Sequence, residues 1–257
     1  MEQKQAAIFN DLSGFGRCSI SVILPILSAM GHQGVAIPTA VLSMHTEFPH
    51  YHMIDLSDQL PAYLESYRKE GLRFDALCTG FLSNPTQAQI ARSCLQLLKE
   101  DALVLIDPVL GDGGRPYPTI TKEIITQMRS LASEAGVLLP NLTELCLLCG
   151  RPYPDAFPSR DFLLSCCDGR CCSFIYAEGK ADEVWNEKVG EGRPGSGDVF
   201  AAVIAGSLLR HETLHQSVER AARFVEAAMR KTLQEQAPHA WGLCFEGLLS
   251  ELMPTAR

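Results

Sequence analysis

Leu103-Val104-Leu105-Ile106-Asp107-Pro108 is the stretch on which the fold depends. Four consecutive apolar residues closed by a proline read as a strand buried on both faces, as a parallel sheet requires. The run ends in a carboxylate, so Asp107 sits at the C-terminal edge of its strand. Downstream, Gly136-Val137-Leu138-Leu139 repeats the pattern, runs through Pro140 into Asn141 and then enters a helix. Upstream, Ala76-Leu77-Cys78-Thr79 reads as a third buried strand ending at Gly80. Between the strands lie amphipathic stretches: Leu56 to Glu70, and Pro85 to Lys99 with Ile90, Cys94, Leu97 and Leu98 at helical spacing.

Farther out the alternation continues. Ala6-Ala7-Ile8-Phe9 reads as the first strand, Ser19 to Ala29 as a helix and Gly34 to Leu42 as an extended segment. Behind Gly195-Ser196-Gly197-Asp198, the residues Val199, Phe200, Val203, Ile204, Ser207 and Leu208 recur at helical spacing. Leu214 to Leu233 reads as a further helix and Trp241 to Leu252 as a last one. Strands alternating with crossover helices predict an α/β fold, a mainly parallel central sheet with helices on both faces. No linker or repeat interrupts the 257 residues, which read as one domain over 1–257.

Composition narrows the class. A formal net charge of -8 argues against a nucleic-acid surface, which needs clustered Lys and Arg. The chain opens on Met1-Glu2-Gln3-Lys4-Gln5 and passes into an apolar run too short for a signal segment or a membrane span, so the expectation is a cytoplasmic protein with no membrane partner. Six of the ten cysteines fall between Cys146 and Cys172. Cys146-Leu147-Leu148-Cys149 has metal-ligand spacing, yet it lies on an apolar helical stretch, where cysteine acts as a small hydrophobe; reduced thiols are the preferred reading.

Three motifs carry chemistry. Gly195-Ser196-Gly197 ahead of a helix makes a turn whose backbone can approach an anion and aim N–H groups at it. Asp198, on the first helical turn, is then placed to accept a proton from an alcohol while those amides stabilise phosphoryl charge. Asn141-Leu142-Thr143-Glu144 puts Asn141 and Glu144 on one helix start, where they can hold magnesium through water, with Asp107 joining the shell; the spacing fits a capping box equally well, and the two roles do not exclude each other. Gly-x-x-x-x-Gly-Lys-Ser/Thr is absent, which excludes a P-loop, and Gly14-Phe15-Gly16 is too short for a dinucleotide fingerprint. His45 and His50, near Thr46, read as surface or packing histidines.

In their order and spacing, Asp107-Pro108-Val109, Asn141-Leu142-Thr143-Glu144 and Gly195-Ser196-Gly197-Asp198 resemble the signature set of the ribokinase-like superfamily. Asp11-Leu12-Ser13-Gly14-Phe15-Gly16-Arg17-Cys18-Ser19 and Pro38-Thr39-Ala40-Val41-Leu42-Ser43-Met44-His45-Thr46 make the chain most similar to the pyridoxal/pyridoxamine kinases, over nearly its whole length. The resemblance implies a ribokinase-like fold and transfer of the ATP γ-phosphate to the 5'-hydroxymethyl of a B6 vitamer, with ATP and Mg2+ required. Asp198 would be the base, with Gly195, Ser196 and Gly197 as the anion hole. Asp107, Asp112, Tyr117, Asn141 and Glu144 would serve the nucleotide, and Asp107 and Glu144 the metal. Asp11 or Ser13, Val41, Thr46 and Phe81 would face the pyridine ring. A homodimer is also implied.

Two departures qualify that picture. Gly80-Phe81 stands where Gly-Tyr is common, removing a hydroxyl from the acceptor side. Between Glu144 and Gly195 the chain reads as shortened: Cys172 to Ala177 is the one strand-like run, and it ends in Glu178-Gly179 without the hydroxyl that usually meets a phosphate. Two alternatives follow: a hydroxymethylpyrimidine or sugar kinase on the same fold, or a vitamer-binding regulatory protein impaired on the nucleotide side.

Overall fold

A computed structural model describes residues 3–153, 170–177 and 179–254. The central sheet has six strands: β1 (Gln5–Phe15), β2 (Gln33–Met44), β3 (Met53–Asp55), β4 (Phe74–Thr79), β5 (Leu98–Ile106) and, after two short strands described below, β8 (Val137–Leu138). Their spatial order is β3-β2-β1-β4-β5-β8. All neighbours pair in parallel except β3, which runs antiparallel along the outer edge of β2.

Side chains along β1 alternate between two cores. Ala6 and Ile8 point to one face and Ala7 and Phe9 to the other, all at most 1% exposed. The first core is closed by α1 (Ile20–Ala29), α6 (Ser196–Leu209) and α7 (Leu214–Gln234), through Ile26, Val203, Ile204 and Phe224. The second lies under α2 (Leu60–Lys69), α3 (Pro85–Cys94), α4 (Lys122–Ala132) and α5 (Leu142–Cys149), through Leu64, Ala91, Met128 and Leu131. The α/β layering expected from the alternating pattern is therefore present, with helices on both faces.

Strand order reverses between β1 and β4: the chain winds outward through β2 on one side, then returns to lay β4 on the other. Such a switch point opens a crevice at the C-terminal ends of the two strands. β1 stops pairing with β4 at Phe9 and carries a bulge between Asn10 and Leu12 before running on beside β2, and β4 ends at Thr79, just before Gly80.

Three elements differ from the sequence expectation. The Pro85–Lys99 helix stops at Cys94; a 3-10 turn covers Leu95–Leu97 and the chain is already strand at Leu98, because Leu98 pairs with Phe74. Trp241–Leu252 is not one helix but a 3-10 turn at His239–Trp241 and another at Glu246–Leu252, separated at Gly242 with φ +77°. The Cys172–Ala177 run belongs to β9 (Arg170–Ala177), which pairs antiparallel with β10 (Lys180–Glu187) in a hairpin outside the main sheet. Here β10 went unread because Val184 is its only fully buried residue.

Cys146 is buried on α5 and Cys149 exposed; Cys166 and Cys167 lie outside the described residues. Burial pushes the thiols of Cys18, Cys78 and Cys94 up to about 12, so they pack as small apolar groups. Among the described residues no cluster of side chains has the make-up of a metal site, and no helix is long and apolar enough to cross a membrane.

Candidate active site

At the switch point, α6 delivers its first turn onto the ends of β1 and β4. Gly195, the residue before α6, has φ +76°, and a Cβ there would come within 1.8 Å of the Arg17 carbonyl oxygen, so only glycine fits. The amide of Ser196 closes a turn onto Arg193 O at 3.2 Å. Among the described residues the amides of Gly197 and Asp198 meet no protein acceptor. They open onto the cleft at the positive end of the helix dipole.

Asp198 is the centre of the acceptor side. Its Oδ2 accepts the backbone N–H of Ser19 at 2.8 Å and its Oδ1 accepts Asn10 Nδ2 at 3.3 Å. Burial raises its pKa to about 7; the Asp11 carboxylate adds to the rise, and the Ser19 and Asn10 bonds oppose it. A carboxylate poised near neutrality suits a general base. Ser19 reaches it only by holding φ +57°, ψ -139°, a conformation that costs a non-glycine residue on the order of 1–3 kcal/mol.

Asp11 and Ser13, expected on the pyridine side, lie beneath the cleft, 4% and 1% exposed. Asp11 accepts Ser13 Oγ at 3.0 Å and Ser19 Oγ at 2.5 Å, so the two side chains are spent on each other and on fixing Ser19. Burial raises the Asp11 pKa against the pull of these hydroxyls. Phe81, half-buried just past β4, is tied by its N–H to Asn10 Oδ1 at 2.9 Å. Val41 is half-buried one strand away, opposite Leu12, while Thr46 is exposed in the loop after β2. His45 is a packing residue, as read: its Nε2 meets Ala240 O at 2.6 Å and its ring packs tilted against Phe48. Asn10 was not read from the sequence. Its signal is the one that singled out Asp107, a polar residue directly after an apolar strand run.

On the other side of α6, Asp107 lies with Oδ2 3.8 Å from where a Gly197 Cβ would be. Its pKa is pushed well above the usual carboxylate range by burial first, then by Glu144 and Asp198. Three mutually repelling carboxylates leave this end of the cleft short of positive charge.

Asn141-Leu142-Thr143-Glu144 is a capping box with an added task. Asn141 Oδ1 accepts Glu144 N at 3.0 Å, while Glu144 Oε2 accepts Asn141 N at 2.8 Å. Its other oxygen, Oε1, accepts Leu110 N at 3.0 Å; Asn141 Nδ2 donates to Gly111 O at 2.8 Å, and Thr143 Oγ1 accepts Gly114 N at 2.9 Å. The motif thus anchors the small ribbon of β6 (Gly111–Asp112) and β7 (Arg115–Pro116). Both Glu144 oxygens are engaged by backbone amides, and Asp107 accepts the backbone amide of Val109. Asp112 and Tyr117 are exposed on the same ribbon, and burial of the phenol, then Asp112, pushes the Tyr117 hydroxyl up to about 12.

A family model described as phosphomethylpyrimidine kinase matches residues 164–240. The pyridoxine/pyridoxal/pyridoxamine kinase of Bordetella avium is 26% identical over 245 residues, covering 85% of this chain and 82% of its own. A Bacteroides thetaiotaomicron protein described as a phosphomethylpyrimidine kinase superposes with a TM-score of 0.92 at 33% identity, over 100% of this chain and 96% of its own. A second crystal form of that protein, with pyridoxal, gives 0.82 at 34% identity, over 99% and 97%. The chain belongs to the pyridoxal kinase family of the ribokinase-like superfamily.

Pyridoxal kinase of Lactobacillus plantarum shares the architecture too, with a TM-score of 0.86 at 28% identity over 97% of this chain and 96% of its own. Within the Glu144–Gly195 stretch, the described residues hold most of α5 and the β9–β10 hairpin. The Cys172–Ala177 run, read as the one strand of this stretch, is a strand and forms one arm of that hairpin. Glu178, which follows Ala177 in the sequence, lies outside the described residues.

Proposed function

We infer that this protein is a B6-vitamer kinase, transferring the γ-phosphate of ATP to the 5'-hydroxymethyl group of pyridoxal, pyridoxamine or pyridoxine. One observation carries the reading: a carboxylate with its pKa near 7 and two unpartnered helix-start amides open onto the same crevice at the strand switch point. The family relationship supplies the acceptor class, and the vitamer names of the relatives match it.

In this mechanism the hydroxymethyl group lies against Asp198, which takes its proton as the oxygen attacks the γ-phosphorus and the bond from that phosphorus to the bridging oxygen breaks, releasing ADP. The amides of Gly197 and Asp198 meet the negative charge on the transferring group, where fixed dipoles act without reorganisation. Phe81 and Val41 supply apolar surface for the ring. Asp11 and Ser13 act beneath it, holding Ser19 in the strained conformation that aims its N–H at Asp198.

Asp107 would hold Mg2+, because it ends its strand beside the Gly197 turn at which the phosphates would lie, its Oδ2 3.8 Å from where a Gly197 Cβ would be. When bound, the ion neutralises phosphate charge, and Mg2+ typically takes one or two carboxylates with its remaining ligands from phosphates and water. Glu144 is better understood as the anchor of the Gly111–Pro116 ribbon, on which Asp112 and Tyr117 would approach the nucleotide.

We extend the proposal to one ribokinase-like domain over 1–257, a reading the continuous six-stranded sheet supports, and to a homodimer. The edge strand β3 offers an apolar contact for the latter, with Ile54 53% exposed. Sedimentation velocity on the purified chain checks the dimer.

The deciding assay incubates the purified protein with ATP and Mg2+ and, separately, pyridoxal, pyridoxamine, pyridoxine or hydroxymethylpyrimidine. A 5'-phosphate is expected from at least one vitamer. Turnover of hydroxymethylpyrimidine alone would move the protein to the other kinase class, and vitamer binding without any transfer would make it a binding protein.

A further inference from the structure

Asn10 is 1% exposed, at the point where β1 breaks into its bulge. Its Oδ1 accepts two backbone amides, Asp11 N at 2.9 Å and Phe81 N at 2.9 Å. Those two donors fix which way the amide group faces, since a flipped amide would set N–H against N–H. Nδ2 must therefore point away from them, and it meets Asp198 Oδ1 at 3.3 Å. The neighbouring strand makes room for the arrangement: a Cβ on Gly80 would lie 2.2 Å from Asn10 Nδ2. One side chain thus joins the ends of both strands at the switch point to a carboxylate 188 residues away in sequence.

Asp198 is also held by Ser19 N on its other oxygen. With one donor on each oxygen the carboxylate plane is fixed, and so is the direction in which a lone pair faces the crevice. Either donor alone would leave the group free to swing about the remaining bond.

We propose that Asn10 is a positioning residue for phosphoryl transfer, locking the Asp198 carboxylate in the orientation that receives the acceptor's proton, with Gly80 as the space that admits it. The inference rests on the reading of Asp198 as base. Asn10 does not touch the acceptor; it acts through Asp198, so its loss lowers turnover and leaves substrate binding in place.

Asn10→Ala, Asn10→Asp, Asp198→Asn and the Asn10→Ala/Asp198→Asn double variant, assayed for kcat, both KM values and melting temperature, test it. Asn10→Asp keeps an acceptor for the two backbone amides and removes the donor to Asp198. Its kcat is expected to fall ~10- to 100-fold, the scale of a misplaced reacting group, with both KM values within about twofold. Asn10→Ala should lose kcat similarly and stability as well. In the Asp198→Asn background, Asn10→Ala should cost no further turnover, since the group it positions is gone.

If Asn10→Asp keeps wild-type kcat, Asn10 is only a structural tie and the proposal is overturned. Additive losses in the double variant overturn it too, and that comparison remains readable if Asn10→Asp does not fold. An unchanged kcat in Asp198→Asn is a separate outcome: it removes the base itself rather than its positioning.

Discussion

Gly195 lies against Arg17 so closely that a methyl group in its place would come to 1.8 Å from the Arg17 carbonyl oxygen, and its φ of +76° is itself unfavourable for any other residue. Backbone meets backbone there, so no side-chain adjustment relieves the contact. Gly195→Ala is expected to displace the start of α6 from the β1 end, abolish detectable turnover and lower the melting temperature. Gly197 differs: its nearest neighbour would be Asp107 Oδ2 at 3.8 Å, ordinary contact. Gly197→Ala should therefore fold like wild type while raising KM for ATP, because its methyl group enters only the space through which a phosphate approaches. Melting curves and initial rates on the two variants separate the roles; equal destabilisation would contradict them.

Asp198 trades stability for function. The folded protein keeps its proton up to about pH 7, whereas an unperturbed carboxyl releases it near 3.8. Raising pH through that interval therefore destabilises the native state, and the cost is complete above about pH 7. Asp198→Asn removes the buried charge and loses the Asn10 bond, which offsets part of the gain. The variant is expected to melt roughly 2–8 °C above wild type at pH 8 and to show no gain at pH 4. Its kcat should fall ~100- to 10,000-fold with vitamer binding retained. Calorimetry at the two pH values and titration of bound pyridoxal by absorbance check both halves.

The sheet was legible because its strands are buried on both faces and read as short apolar runs; Ala6–Phe9, Ala76–Thr79 and Leu103–Ile106 all lie within strands. What escaped was set by partners distant in sequence. Lys99-Glu100-Asp101 has no strand pattern and lies in an irregular part of β5, between the Leu98–Phe74 and Leu103–Ala76 pairs that bracket it. The β10 arm is polar on most positions and reaches the core only through Val184, its remaining hold being the pairing with β9. In the site, the Gly195–Asp198 turn announced itself through glycine spacing, and Asp107 through its place at a strand end. The dual hold on Asp198 did not, since Asn10 and Ser19 act across 188 and 179 residues. The capping box at Asn141 was visible, but its grip on Leu110, Gly111 and Gly114 was not.

That grip separates Glu144 from Asp107, two carboxylates that share a cleft end and were expected to share a metal. Glu144 is 3% exposed and accepts Leu110 N at 3.0 Å and Asn141 N at 2.8 Å, one on each oxygen. Glutamine can satisfy only one of those amides and turns its own N–H group toward the other, so Glu144→Gln should cost ~1–3 kcal/mol of stability. Asp107 carries the opposite balance: its charge is unfavourable in the free protein, and Asp107→Asn should leave stability unchanged or raise it. If Asp107 is the residue that meets the ion, Asp107→Asn should raise the Mg2+ concentration for half-maximal rate by ~10-fold, while Glu144→Gln, once folded, keeps the wild-type value. The assay is a Mg2+ titration at fixed ATP below the melting temperature of both variants. A shift in Glu144→Gln as large as in Asp107→Asn would return Glu144 to the metal and leave the Gly111–Pro116 ribbon without its proposed anchor.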